Sequence, residues 1–218
     1  MKIKFYAFIL AIVICLSLTA AQDASAGVIF FGDGALGDFD GSLSYSASSA
    51  SSATLALTLK NTSAIANGGY LTAFVFNNPG NYISGVNLSA TDAHFGLLGA
   101  SGFNNGINAA PYGDFDIGAS LSNRFLGGGN ASDGIAVGVT ETFTFTFTGS
   151  NLNTLNEDSF ISERSPGSEN VSFVARYRGF EDDGSDKVLG ETPSTPEPAT
   201  MSLIGLGLAG LLKIRRKK

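Results

Sequence analysis

Residues 140–148 read Thr-Glu-Thr-Phe-Thr-Phe-Thr-Phe-Thr. This strict alternation becomes one apolar and one polar face only in a β-strand, where successive side chains point to opposite sides. In a helix the same phenylalanines would be spread around the axis, with no common face to bury. The pattern predicts Phe143, Phe145 and Phe147 inward and Thr142, Thr144, Thr146 and Thr148 outward. Residues 54–61 repeat it, with Leu55, Leu57 and Leu59 on one side and Thr54, Thr58 and Lys60 on the other. Further strands are predicted at 28–31, 39–45, 70–76, 83–88, 115–121, 135–139 and 171–177. The segment 70–76 is apolar on both faces, which suits a central strand.

Between these strands stand turn formers: Asn67-Gly68-Gly69, Asn78-Pro79-Gly80, Asn105-Gly106, Gly127-Gly128-Gly129-Asn130 and Asp133-Gly134. From residue 27 to about 190 no helical periodicity exceeds two turns, and one short helix is expected at 152–158, capped by Ser150 or Asn151. About nine short strands without a βαβ rhythm predict an all-β fold, an antiparallel β-sandwich of jelly-roll type. The stretch 46–53 is nearly all Ser and Ala and reads as an exposed loop. The expected organisation is a leader at 1–26, a sandwich at 27–183, a Pro-rich linker at 184–195 and a terminal signal at 196–218.

Both ends read as addresses. Lys2 and Lys4 precede an apolar run from 5 to 18, and small residues then end in Ala24-Ser25-Ala26. A basic start, a short apolar run and an A-x-A site predict a secretory signal peptide cleaved after Ala26. The single cysteine, Cys15, lies in that run and is preceded by Ile14 rather than a small residue, so lipid attachment is not expected. A mature chain would then hold no thiol for disulfides, nucleophilic catalysis or metal binding. At the other end an apolar run from 199 to 212 is followed by Lys213, Arg215, Arg216, Lys217 and Lys218. As a helix, 199–212 reaches about 21 Å, short of the roughly 30 Å hydrocarbon core, and snorkelling with local thinning covers the difference. The basic cluster stays cytoplasmic, which places the body on the far side of the membrane. Residues 27–198 hold six of the 13 basic residues but 18 of the 19 acids, a net charge of −12. A surface of that sign repels phosphate backbones, so no nucleic-acid partner is expected.

Pro196-Glu197-Pro198, an apolar helix containing Gly205, Gly207 and Gly210, and a terminal Arg215-Arg216-Lys217-Lys218 together resemble the PEP-CTERM sorting signal of Gram-negative bacteria. Ile214, which splits the basic run, is the one departure. The resemblance implies a substrate of exosortase, a membrane-embedded cysteine protease that removes the tail near the tripeptide after a transient stay in the inner membrane. It also implies secretion alongside exopolysaccharide in biofilm and floc formers, most of them without an assigned activity. The stretches 69–74 and 178–180 are similar to an uncharacterised group of secreted proteins with such tails. The sequons at Asn61, Asn87, Asn130 and Asn170 are not expected to be glycosylated in that setting.

Chemistry is sparse in the body. Gly32-Asp33-Gly34-Ala35-Leu36-Gly37 satisfies the G-x-G-x-x-G spacing, but turn and strand residues follow where a dinucleotide site needs a helix N-terminus. The lone histidine, His94, has no G-x-S-x-G turn to serve and reads as a loop residue. Carboxylates come in groups: Asp38 with Asp40, Asp114 with Asp116, and Asp182, Asp183 and Asp186. Paired acids serve glycoside hydrolysis, but the aromatic platforms usual in glycosidases are missing Trp altogether. Hard oxygen ligands on loops suit Ca²⁺ better, with Asp114, Asp116, Asp182, Asp183 and Asp186 the candidate ligands. The turn-forming role of Asp competes with that reading, and no cofactor is otherwise expected. The sequence thus predicts a non-enzymatic protein of the cell surface or extracellular matrix, structural or adhesive and associated with exopolysaccharide. The alternatives are a carbohydrate-binding module recognising that polymer and, third, a secreted hydrolase.

Overall fold

The structure is a computed structural model that describes residues 27–99, 102–166 and 171–193. Its first half contains β1 (Val28–Asp33), β2 (Asp38–Ser49), β3 (Ser52–Asn61), β4 (Gly68–Phe76) and β5 (Ile83–Ala90). Five short strands follow: β6 (Gly96–Leu98), β7 (Ile107–Asn108), β8 (Asp114–Phe115), β9 (Ile117–Ser120) and β10 (Ile135–Ala136). Then come β11 (Thr140–Gly149), the helix α1 (Glu157–Ser162), β12 (Phe173–Phe180) and β13 (Ser185–Leu189).

The alternating segments behave as their pattern requires. β11 lies between β3 and β5, with Phe143 opposite Leu57 and Phe145 opposite Leu55, and all four side chains are fully buried. On the other face the hydroxyls of Thr58 and Thr142 meet at 3.1 Å. One sheet therefore runs β1-β2-β3-β11-β5, and the facing sheet runs β13-β12-β4-β9-β6, with β10 also on β4. The pairings described are antiparallel. Rings from both sheets interlock in the core: Phe74 of β4 stands edge-on to Phe143 at 4.6 Å, and Phe76 to Phe145 at 5.2 Å. Asn61 adds a polar tie, its amide donating across the sandwich to the carbonyls of Gly69 (3.2 Å) and Ile135 (2.8 Å). Fully buried as it is, that sequon offers no accessible acceptor.

β4 is central and covered on both faces, as its sequence predicts. Its outer face packs Ala73 and Val75 against Leu98, Ile107, Phe115 and Phe125, so the long excursions around β6–β9 form a partial third layer. Successive strands alternate between the sheets from β3 to β6. The first and last described strands stay within one sheet, β1–β3 as a meander and β12–β13 as a hairpin.

Several local expectations are corrected. The Ser/Ala stretch at 46–53 is no loop but the distal part of a hairpin, turning only at residues 50–51. Backbone pairing between β2 and β3 continues there to Ser49 opposite Ser52; Ala47 and Ala53 still meet the core, and the exposed residues 48–51 beyond them need no bulk. The predicted helix at 152–158 is a 3₁₀ turn at Leu152–Thr154, and α1 begins later. Asn151 adopts a left-handed conformation (φ 54°), and Asn156 instead caps α1: its side chain accepts from the Ser159 amide at 3.0 Å while the Ser159 hydroxyl accepts from the Asn156 amide at 3.1 Å. The strand predicted at 135–139 stops at Ala136, because Gly138 turns the chain (φ 81°). That predicted at 115–121 is split by Asp116, which lies between β8 and β9.

Residues 184–195, expected to be a linker, contain β13, which pairs with β12 along its length. Beyond it Glu191 exchanges both backbone hydrogen bonds with Phe31, joining β1 to the segment that follows β13. The folded unit thus extends past residue 183. The expected signal peptide with Ala24 and Ala26, and the tail from Pro196 to Lys218, lie outside the described residues. Among the described residues no helix is long and apolar enough to cross a membrane.

Candidate functional site

The acids singled out in the sequence are spread over the fold, and the carboxylates of Asp38, Asp116, Asp182 and Asp186 accept backbone amides. Asp116 is buried, and its two carboxylate oxygens accept from the amides of Asn78 (2.7 Å) and Asn105. Asp114 accepts instead from the Asn108 side chain at 2.9 Å, so the two do not form the pair that strand alternation would give. Asp116 sits in the break between β8 and β9, where that alternation fails. Asp182 accepts from the Gly184 amide at 2.8 Å, and Asp183 occupies the left-handed position of the β12–β13 turn (φ 59°). Asp186 reaches across the molecule to the amides of Leu36 (2.8 Å) and Gly37 (3.2 Å). The G-x-G-x-x-G stretch is accordingly a β1–β2 hairpin turn clamped by a carboxylate, with no helix behind it. Among the described residues no three His, Cys, Asp or Glu side chains are grouped to hold a metal ion.

Asp38 and Asp40 flank the inward Phe39, Asp40 standing exposed across from Lys60. Burial raises the Asp38 carboxyl above its ordinary value; the Gly34 amide, 3.1 Å away, opposes this, and Asp33 and Asp186 add to it. A carboxyl raised on folding binds more protons in the native than in the unfolded state between its two pKa values. Stability is therefore lost as pH rises through that window, and the penalty is complete above it. Asp38→Asn, which keeps an acceptor for Gly34, should raise the melting temperature at pH 7. The gain should shrink as pH falls through the carboxylate range. Thermal unfolding of both proteins across that range checks this, and a gain independent of pH would remove the charge as its cause.

His94 is exposed, its Nδ1 lying 2.7 Å from Asp92 Oδ1, which also accepts the His94 amide at 2.9 Å. That is a local turn contact between β5 and β6. The Tyr45 and Tyr177 hydroxyls are structural too, donating to the carbonyls of Leu152 and Asp38 at 2.7 Å each. Burial pushes the Tyr45 phenol up to about 12 and raises that of Tyr177 further.

None of these acids, tyrosines or His94 lines the cleft on the outer face. A cleft of about 400 Å³ opens over the third layer, between residues 98–99, 106–108 and 123–126. Ile107 and Phe125 belong to the buried cluster beneath it, while Asn108, Asn123 and Arg124 supply polar groups. A second hollow of about 380 Å³ shares Asn123, Arg124 and Leu126, so this loop is a ridge between two concavities. The sequence shows these residues only as Gly- and Asn-rich turns. Their signal is length: loops this long within a compact domain are commonly binding elements.

Residues 194–217 match the family model of the PEP-CTERM protein-sorting motif. The match supports an exported protein that exosortase sorts and processes. No curated protein shows a significant match to the chain.

Proposed function

We propose that this chain is an exported, non-enzymatic β-sandwich, delivered through its tail to the cell surface or extracellular matrix, where it acts as a structural or adhesive component alongside exopolysaccharide. The sorting motif at 194–217 carries this reading. Pro196 and Pro198 restrict the backbone around Glu197 and keep a helix from starting before Ala199, which leaves an extended peptide for a protease at the membrane surface. The apolar run at 199–212 and the basic residues after it hold the substrate only until cleavage, and a short span suffices for that. The amino-terminal leader ending at Ala26 is the matching export signal. The engagement of Asp116, Asp182 and Asp186 by backbone amides favours a scaffold role for these acids over catalysis or calcium binding.

Intact mass spectrometry of protein secreted by the native host tests this reading. The mature chain should begin at Gly27 and lack the residues after about Pro198. Deleting the exosortase, or Glu197→Ala, should leave a larger, membrane-bound form. Secreted protein that still carries Lys218 would overturn it.

A further inference from the structure

In a body with six basic residues and 18 acids, three of the six cations stand together on one face of one sheet. Arg176 and Arg178 are alternate residues of β12, separated by the inward, fully buried Tyr177. Lys187 of β13 lies directly opposite Arg176 in the register. Their charges are not neutralised from within. No described carboxylate lies within salt-bridge range of any of the three. Lys187 donates to the carbonyl of Ala110, and Arg178 to those of Gly128 and Gly129, so the outer two cations are held by two loops of the third layer. Arg176 lies between them, half-buried, and its Nε is buried with no hydrogen-bond partner.

Directly opposed like charges destabilise a strand pair, and a buried donor without an acceptor costs free energy on top of that. Burial lowers the pKa of both Arg176 and Lys187, and a neighbouring cation lowers each further, through Arg178 for the former and Arg176 for the latter. An arrangement that is costly on its own and is relieved by a negative charge has the character of an anion site. We propose that Arg176, Arg178 and Lys187 bind an oxyanion, a carboxylate, sulfate or phosphate group, brought either as a free ion or on an acidic polysaccharide. Guanidinium donors supply a planar fork for such a group, and the ammonium supplies a compact charge beside it.

The test is thermal unfolding of the full-length protein in sulfate or phosphate against chloride at equal ionic strength, with titration calorimetry against polygalacturonate and monomeric galacturonate. Sulfate or phosphate should raise the melting temperature above the chloride value, because a ligand of the native state stabilises it by mass action. Arg176→Met should weaken anion binding about tenfold or more, the worth of a hydrogen bond to a charged group. The same variant should melt no lower than the parent in chloride, since it removes an uncompensated cation. Lys60→Met, an equal charge change on the exposed face of the opposite sheet, should keep the full response. Should Arg176→Met not fold, Arg178→Gln and Lys187→Gln serve, each expected to weaken binding. Tighter binding of the polymer than of its monomer identifies the polysaccharide source, and equal binding identifies the free ion. The proposal falls if sulfate and phosphate act like chloride, if the cation variants keep the parent's response, or if Lys60→Met loses as much.

Discussion

Phe74→Ala should cost about 3–5 kcal/mol, a large part of the roughly 5–15 kcal/mol that holds a domain of this kind together. The ring is fully buried in the middle of β4. It touches the opposite sheet through Phe143 at 4.6 Å and Phe145 at 6.2 Å, and it stacks on Phe173 of its own sheet at 5.8 Å. Truncation therefore removes transfer free energy, leaves a cavity at the point where the sheets meet, and deletes edge-to-face contacts worth up to about 1 kcal/mol each. In a protein of this size the melting temperature should fall by about 10 °C or more. Phe74→Leu, which refills much of the space, should recover most of the loss. Thr146→Ala, on the exposed face of β11, should change stability by no more than about 0.5 kcal/mol. Urea unfolding of the three variants decides the matter, and a Phe74→Ala loss as small as that of Thr146→Ala would mean that the sheets do not pack through these rings.

Asp116→Ala should be nearly as damaging, although it removes no apolar contact. The carboxylate is 6% exposed and accepts two backbone amides, one of them from Asn78, which is 1% exposed. Asn78 in turn donates to the carbonyls of Ile83 and Phe103 and accepts the Ile83 amide at 2.9 Å. One acid thus secures the turn before β5 and the excursion that carries the cleft. Hydrogen bonds to a charged group contribute about 1.5–3 kcal/mol each, and a buried donor left alone costs a similar amount, so a loss of about 3–5 kcal/mol is expected. Asp116→Asn keeps one acceptor and should lose about half of that. Chelator separates this role from calcium binding: the loss should be the same with and without it. A variant as stable as the parent in chelator, and weaker only when calcium is present, would make Asp116 a metal ligand instead.

What could be read along the chain is what neighbouring residues encode together. Phe143, Phe145 and Phe147 declare a strand and its buried face by period alone, and so do Leu55, Leu57 and Leu59. Two covered faces for β4 followed from an apolar run, and the sorting tail from three features in fixed order. β13 escaped notice because an edge strand buries little: only Val188 of its five residues is buried, and Ser185, Asp186 and Lys187 read as linker. The acids looked alike in sequence, since Asp114, Asp116 and Asp186 differ in role only through amides that other segments bring to them.

By itself the sequence determined the class of the body, the facing of its long strands and the address of its tail, because side-chain period and motif order are properties of consecutive residues. The tertiary structure alone decided which acids are buried, where the cleft opens and that Arg176 meets Lys187. Each of these depends on register and loop placement between segments far apart in the chain. The hydrogen bond from the Leu36 amide to Asp186 spans 150 positions, and no local pattern carries a pairing of that range.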